Sequence, residues 1–345
     1  MKSDIFKLVI LNSVLLVVLL CPSCKKDVEL PKSLTQTTNE TTPLATSALS
    51  TINLVTTLAG VRNTPGYADG PAQTAMFNGV SGIQLTSDGT LYIADKNNNA
   101  IRKLTAGGIV STLPLKTTGD YPLQSPTSVG VDNIGNVHVL SYLVDQEGLF
   151  YIFNNKGNLL TGYGLQYIAF GALAKDPYEN FLWFSIHNSI GKHVINADGS
   201  TGKDYIPYNN NLLTDDEQGR GQSFRGLFVG RNRVIYFAIG PRLFKYTPSG
   251  TTAQLFPNLA LSNISSIVLN ADCRTMYLAS GGKIVKIENG KLSVLAGPNT
   301  LTPDGRDGKG ANADVHANSL ALGDNENSLY FSDYSTNTIR KIMLK

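Results

Sequence analysis

Histidine and acidic side chains are the residues of this sequence that could bind a metal ion or act as acids and bases. The four histidines are His138, His187, His193 and His316. A histidine metal site needs several ligands that converge on one point, and these four lie at non-equivalent positions of the repeat described below. Segment 304–308 loosely resembles a calcium loop, but Arg306 stands where an oxygen ligand is required. The sequence has no motif for a nucleophilic serine, a phosphate-binding loop or a dinucleotide site.

A second set of polar residues lies where short apolar segments begin or end. Its members are Asn78, Asp95, Ser141, His187, Arg225, Asn263, His316 and Asp333. Brought together, these side chains would offer hydrogen bonds to a sugar or a peptide, and oxygen or nitrogen ligands to a divalent cation. We treat them as candidate ligand-binding residues and assign no catalytic residue. Alternatively, Asp95 and Asp333 hold turns by accepting hydrogen bonds from nearby backbone N–H groups.

Residues 1–23 have the features of a bacterial signal peptide. Lys2 and Lys7 precede an apolar segment, 8–20, that is short for a membrane span. The small residue Ser23 then precedes Cys24, which resembles the cleavage and lipidation site of lipoproteins. We predict lipidation of Cys24 and a lipid anchor in the cell envelope, most simply the outer membrane. An ordinary secretory signal without a lipid is the alternative.

Residues 24–50 are rich in serine and threonine and show no sustained apolar period, so we expect a flexible tether. Two acidic residues soon after Cys24, Asp27 and Glu29, resemble the pattern of lipoproteins of the Bacteroides type that are displayed on the cell surface. The chain has a formal net charge of +3, which gives no reason to expect nucleic acid as a partner. Of the three cysteines, only Cys273 lies beyond the leader, and we expect a buried thiol.

Residues 51–345 contain a repeated pattern of short apolar segments separated by Gly, Asp and Asn. The clearest copy has its second segment at residues 91–95 and its third at 101–104. The second segment recurs at intervals of roughly 40–55 residues, which is the length of a propeller blade. The centres of its six copies are Tyr92, His138, Leu182, Tyr236, Tyr277 and Tyr330. Four short strands per copy and six copies predict an all-β fold, a six-bladed β-propeller.

The ends of the repeated region complement each other. The sixth copy stops after its third strand, at residues 339–344, and lacks a fourth. An extra fourth-strand segment, residues 54–60, stands before the first copy and matches residues 291–297 of the fifth. We therefore predict that this N-terminal strand completes the last blade and closes the ring, because an open ring would leave sheet edges unpaired.

The repeats resemble those of the NHL family of propellers. The resemblance is carried by Leu91-Tyr92-Ile93-Ala94-Asp95, by Ala100-Ile101-Arg102-Lys103, and by the similar segments 67–77 and 306–315. It covers residues 51–345 and is strongest in the first and last copies. The family implies a six-bladed propeller, in which the innermost strands line a central channel. Because NHL propellers serve many functions, the resemblance alone does not select one.

The propeller geometry would gather the candidate residues at one end of the channel. The starts of the inner strands and the ends of the second strands meet at the same face, which is the usual ligand site. Aromatic residues in or near loops and strand ends suit stacking on sugar rings or peptide side chains; they are Tyr142, Tyr163, Tyr167, Tyr178 and Tyr334. For Trp183, which lies inside a strand, packing between blades is the simpler interpretation.

Three functions are compatible with this sequence. We favour a non-catalytic module that binds a glycan or a partner protein, as in surface lipoproteins with NHL propellers associated with polysaccharide uptake. The first alternative is a propeller enzyme of lyase or lactonase type with a metal in the channel. The second is a structural scaffold of the envelope. We predict no cofactor. A divalent cation in the channel stays an open alternative, with no ligand set identified. The expected partners are a membrane, through the lipid anchor, and a glycan or protein ligand.

Overall fold

The computed structural model of the protein describes most of the chain from residue 51 onward. The described residues are 51–118, 122–142, 147–166, 170–186, 189–194, 196, 205–209, 212, 224–297, 304–323 and 325–345. All of them belong to the unit Pro43–Lys345. The predicted signal peptide, Cys24 and the tether lie outside the described residues. Within these ranges, no helix has the length and apolar character that a membrane crossing requires.

Short strands form nearly all of the regular structure, and the first of them is β1 (Leu54–Ala59). Blade 1 contains β2 (Gly70–Pro71), β3 (Val80–Leu85), β4 (Leu91–Asp95), β5 (Ala100–Leu104) and β6 (Ile109–Thr112). Blade 2 contains β7 (Ser128–Val131), β8 (Val137–Tyr142), β9 (Glu147–Phe153) and β10 (Leu159–Gln166). Blade 3 contains β11 (Phe170–Lys175), β12 (Phe181–Ile186), β13 (Ser189–Val194) and β14 (Tyr205–Asn209).

The second half of the ring repeats the same four-stranded order. Blade 4 contains β15 (Arg225–Val229), β16 (Ile235–Ile239), β17 (Arg242–Tyr246) and β18 (Thr252–Leu255). Blade 5 contains β19 (Ile264–Leu269), β20 (Thr275–Ser280), β21 (Lys283–Glu288) and β22 (Lys291–Ala296). Blade 6 contains β23 (Gly308–Lys309), β24 (Ala317–Leu322), β25 (Ser328–Asp333) and β26 (Thr338–Met343), together with β1. Single 3₁₀ turns occupy Lys96–Asn98 and Gly310–Asn312.

The six sheets form a closed ring, which confirms the predicted fold. Within each blade the neighbouring strands of the sheet pair antiparallel, with β2 beside β6 in blade 1 and β23 beside β1 in blade 6. The inner strands contact one another in the cyclic order β3, β7, β11, β15, β19, β24 and again β3. Strand β1 lies between β23 and β26, with Thr56 opposite Lys341 and Thr57 opposite Arg340. The predicted completion of the last blade by the N-terminal strand is therefore confirmed.

Tight turns explain why the sequence breaks into such short strands. Between β3 and β4 the side chain of Asp88 accepts hydrogen bonds from the Thr86 hydroxyl at 2.6 Å and from the Thr90 N–H at 3.2 Å. Gly89 follows with φ of +78°, a conformation that glycine adopts without steric cost. Chain reversals of this kind return each strand beside its predecessor.

The hydrophobic core lies between neighbouring blades. One cluster joins Ala94 and Ile101 of blade 1 to Val139 and Tyr151 of blade 2. Trp183 of blade 3 packs at the edge of the cluster shared with blade 4, and its indole Nε1 donates to Asp176 at 2.9 Å. Because each sheet packs both faces against neighbouring blades, a second strand such as β16 is buried at every position.

The inner strands approach one another closely at glycine positions. A Cβ atom on Gly82 of β3 would lie 2.7 Å from the backbone of Ser128, and one on Gly171 of β11 would lie 1.8 Å from the carbonyl oxygen of Phe224. Both distances are below any normal contact, so these positions require glycine. The absence of side chains there lets six short strands surround one axis.

Candidate functional site

A central channel of about 1080 Å³ runs between the inner strands of all six blades. Each inner strand begins at one face of the ring, which we call the mouth, and ends at the opposite face. The mouth lies where the preceding blade connects to the inner strand and where the second strand ends. It is therefore the face on which the sequence analysis placed the candidate residues.

Small polar residues of the inner strands line the channel together with apolar ones such as Ile83 and Leu320, and several of their hydroxyl groups bond within the ring. The Ser81 hydroxyl donates to the Thr127 carbonyl at 3.0 Å, across the boundary between blades 1 and 2. The Ser265 hydroxyl donates to the Asn318 carbonyl at 2.7 Å, across the boundary between blades 5 and 6. These hydroxyls hold adjacent blades together. Recognition of a ligand must therefore depend largely on the longer side chains at the two ends.

Three side chains at the mouth occupy the same position of the repeat. Lys96, Tyr142 and Tyr334 stand one residue beyond Asp95, Ser141 and Asp333, which are equivalent in β4, β8 and β25. All three line the channel, and the tyrosines are 38% and 44% exposed. Because blades 6, 1 and 2 are consecutive, Lys96 lies between the two tyrosines around the mouth. We call these three residues the mouth arc.

Arg225 lies across the channel from the mouth arc. It is the first residue of β15 in blade 4, three blades from Lys96, and it also lines the channel. Its side chain is exposed and forms no ion pair with any described residue. The mouth thus combines two aromatic faces with two cations on opposite sides.

Asp95 and Asp333, by contrast, are fully buried and do not line the channel. Asp95 pairs with Arg102 at 2.8 Å and accepts the Asn78 N–H at 2.7 Å. Asp333 pairs with Arg340 at 2.7 Å and accepts the His316 N–H at 3.3 Å. Burial raises the pKa of Asp95, although the hydrogen bonds from Asn98, the Asn78 N–H and Arg102 oppose this. The geometry agrees with the alternative in which these aspartates hold turns.

Each of these ion pairs extends to a second aspartate in the same way. Arg102 also contacts Asp69 at 2.6 Å, and Asp69 accepts the N–H of Thr112 at 3.0 Å. The corresponding contacts in blade 6 are Arg340 with Asp307 at 2.9 Å and Asp307 with the N–H of Thr57 at 2.9 Å. Thr57 of β1 therefore donates its N–H to the second aspartate of blade 6, just as Thr112 of β6 donates to the second aspartate of blade 1.

The remaining candidate residues divide between the channel and the ring. Ser141 lines the channel, and its hydroxyl donates to the Gln124 carbonyl. The side chain of Asn78 accepts a hydrogen bond from Asn97 at 3.1 Å, and the carbonyl of Asn263 accepts the N–H of Gly281 at 2.8 Å. Asn78, Asn263 and His316 are not among the channel-lining residues, while His187 lies outside the described residues. Of the predicted set, the structure places Ser141 and Arg225 on the channel.

The site contains residues that the sequence analysis did not select. Lys96 was not considered, and Tyr142 and Tyr334 were noted only as aromatic residues near strand ends. The signal that would have identified them is their shared position directly after Asp95, Ser141 and Asp333, the residues that end the second apolar segment of each copy.

His138 has a structural role in blade 2. It is fully buried in β8, and its Nε2 lies 3.4 Å from the carboxylate of Asp132. Burial lowers the pKa of His138, and the nearby Asp132 only partly offsets this effect. Within the described ranges, no three His, Cys, Asp or Glu side chains come together as metal ligands would.

The opposite end of the channel carries charged residues of both signs. Lys175, at the end of β11, and Arg231, shortly after β15, line it as cations. Asp176 also lines this end, but its carboxylate accepts the Tyr178 N–H and the Trp183 indole N–H, both at 2.9 Å. Glu326 accepts the N–H of Ala271 at 2.6 Å. The acidic groups are thus bonded within the protein.

Comparison with known proteins supports the fold and no family. No protein-family model and no curated protein sequence matches the chain. Among solved structures, an auxiliary nutrient binding protein from Bacteroides ovatus is similar with a TM-score of 0.62 and 16% identity, over 84% of this chain and 76% of that one. A gluconolactonase from Xanthomonas campestris has a TM-score of 0.55 and 11% identity, over 87% and 93% of the two chains. A streptogramin B lyase has a TM-score of 0.52 and 17% identity, over 81% and 97%. At such identities these similarities show the propeller fold alone.

Proposed function

We propose that the protein is a cell-envelope lipoprotein whose propeller binds a glycan at the channel mouth without transforming it. The observation that carries this proposal is the mouth arc, in which two partly exposed tyrosines flank Lys96 at the opening of a large channel. Aromatic faces in a polar recess suit the apolar faces of sugar rings. A recessed opening fits a sugar chain better than the surface of a folded protein.

Two further observations support a binding role. The hydroxyls of Ser81 and Ser265 in the channel donate to carbonyl groups of the next blade, and in the described part of the chain neither is hydrogen-bonded to a histidine or carboxylate that would activate it as a nucleophile. One of the similar structures is described as a nutrient-binding protein, which is compatible with binding as the function of this fold. The lipid anchor at Cys24 is inferred from the sequence and would hold the propeller at the membrane.

The proposal is tested by substituting the tyrosines of the mouth arc. A glycan array first identifies a ligand for the purified protein, and calorimetry then measures its affinity for each variant. Tyr142→Ala and Tyr334→Ala should each weaken binding about tenfold, which corresponds to roughly 1.4 kcal/mol, because each removes one stacking surface. Their thermal unfolding temperatures should stay close to that of the unmodified protein, since both side chains are partly exposed.

Tyr67→Ala is the matched control, because Tyr67 is 60% exposed and does not line the channel. It should leave the affinity unchanged. Equal affinities for all three variants would place the glycan elsewhere, and an array without any binding would reject the proposed function. Release of a shortened or unsaturated product from the bound glycan would contradict a non-catalytic role.

A further inference from the structure

The channel carries four cationic side chains that form no ion pair with any acidic group in the described residues. Lys96 and Arg225 lie at the mouth, and Lys175 and Arg231 lie at the opposite end. None of them forms an ion pair within the described part of the chain. The whole chain has a formal net charge of only +3, so these cations are concentrated relative to the rest of the protein.

The acidic residues that line the channel do not cancel this charge locally. Asp176 is buried, and its two oxygens receive the Tyr178 and Glu179 N–H groups and the Trp183 indole N–H. Glu326 accepts a backbone N–H on one oxygen and lies 4.0 Å from Lys345 on the other. Both acids lie at the end of the channel away from Lys96 and Arg225, so the mouth itself is lined by cations alone among the described charged residues.

We infer that the channel mouth binds an acidic glycan, one whose sugar rings carry carboxylate or sulfate groups. This inference rests on the proposed function and specifies its ligand. A concave site of one sign, with protein walls of low dielectric constant, raises the local concentration of oppositely charged ligands. Neutral sugars would gain only hydrogen bonds from the two cations, without charge attraction, and a basic peptide would be repelled by them.

The arrangement of the mouth gives each cation a distinct role. Lys96 stands between the tyrosines of the mouth arc, so the acidic group of a sugar stacked on Tyr142 or Tyr334 would lie beside its ammonium group. Arg225 faces the arc from the other side of the channel, and its planar guanidinium suits a two-point contact with a carboxylate or sulfate. A chain of two or more acidic sugars crossing the mouth would satisfy both cations.

The experiment compares sugar chains that differ only in charge. Tetragalacturonate and its carboxyl-reduced form, a neutral galactose tetramer, are titrated into the protein by calorimetry, beside a heparin tetrasaccharide and its desulfated counterpart. At least one acidic chain should bind ten or more times tighter than its less acidic partner. Its affinity should fall when NaCl is raised from about 50 to 300 mM, because salt screens charge interactions.

Variants assign the effect to the mouth. Lys96→Gln and Arg225→Gln should each reduce the preference for the acidic chain at least threefold, whereas Lys291→Gln, on the exposed outer strand of blade 5, should leave it unchanged. Equal binding of acidic and neutral partners would overturn the inference and leave glycan binding intact. Binding of none of the four probes, and of nothing on the array, would reject the proposed function as well.

Discussion

Two arginines, Arg102 and Arg340, are among the largest side chains that are fully buried in the protein. Burying a guanidinium is costly unless carboxylates and carbonyls replace its hydration. Arg102 meets this requirement with Asp69, Asp95 and the carbonyls of Ala68 and Met76, the latter two at 2.7 and 3.0 Å. The contacts tie the third strand of the blade to the loop that enters it, and Arg340 does the same in blade 6.

Replacing Arg102 should therefore be strongly destabilising. We expect Arg102→Met to lower the free energy of unfolding by about 3–5 kcal/mol, because Asp95 would stay buried without its partner. Chemical denaturation of the purified variant measures this loss. The double variant Arg102→Met/Asp95→Asn should recover part of it, since no charge is then left unpaired in the interior.

Lys103→Met is the control for this experiment. Lys103 is the next residue of β5 and is only partly buried, so its replacement should change stability by less than about 1 kcal/mol. If Arg102→Met lowered the free energy of unfolding no more than Lys103→Met does, the buried ion cluster would contribute little to the stability of the blade.

The sequence indicated which strand ends form the mouth but not which side chains face it. Asp95 and Asp333 were selected because they end second strands, and both turn inward to Arg102 and Arg340. Successive strand residues point to opposite sides, so an error of one position exchanges a buried residue for one that lines the channel. Without the buried arginine as a known partner, the sequence alone could not decide between Asp95 and Lys96.

At the level of strands, the pairing of β1 with β26 joins the two ends of the propeller. The prediction of this pairing succeeded because the missing fourth strand of the last copy and the extra strand before the first copy share one pattern. The structure adds a side-chain contact that holds β1 in the last blade: Thr57 donates its N–H and its hydroxyl to Asp307 at 2.9 and 3.0 Å. The second to fifth copies of the repeat resemble the first mainly in strand order and spacing, which was sufficient to count the blades.

A charge on the inward side of β1 should disrupt the closure. Val55 is fully buried in a cluster with Leu295 of blade 5 and Ile342 of β26. We expect Val55→Asp to cost more than about 3 kcal/mol of stability, because an unpaired carboxylate would be buried there. Thermal and chemical unfolding of the purified domain measure the change.

The neighbouring position on the same strand provides the comparison. Thr56 is partly exposed and pairs with Lys341 across the sheet, so Thr56→Asp places opposite charges side by side and should be nearly neutral. Equal losses of stability in Val55→Asp and Thr56→Asp would indicate that burial of the Val55 face of β1 is unimportant to closure of the ring.

For the molecule as a whole, the sequence predicts a propeller attached to a membrane through Cys24. We expect Cys24→Ala to abolish incorporation of an alkyne-labelled fatty acid when the full chain is produced in a bacterium that processes lipoproteins. The variant should also leave the membrane fraction. Cys21→Ala should retain both the label and the membrane association, because Leu20 rather than a small residue precedes Cys21. Loss of the label only in the Cys21 variant would move the anchor to that residue.

The pairing of β1 with β26 also constrains the order of events during synthesis. Strand β1 leaves the ribosome before the other strands, yet β26 emerges only after five other blades; even the contact from Thr57 to Asp307 spans 250 residues. Contacts so distant along the chain form late. The ring therefore stays open, with one edge of β1 unpaired, until β26 has been synthesised. A product truncated before β26 would keep that edge open to aggregation and to proteases.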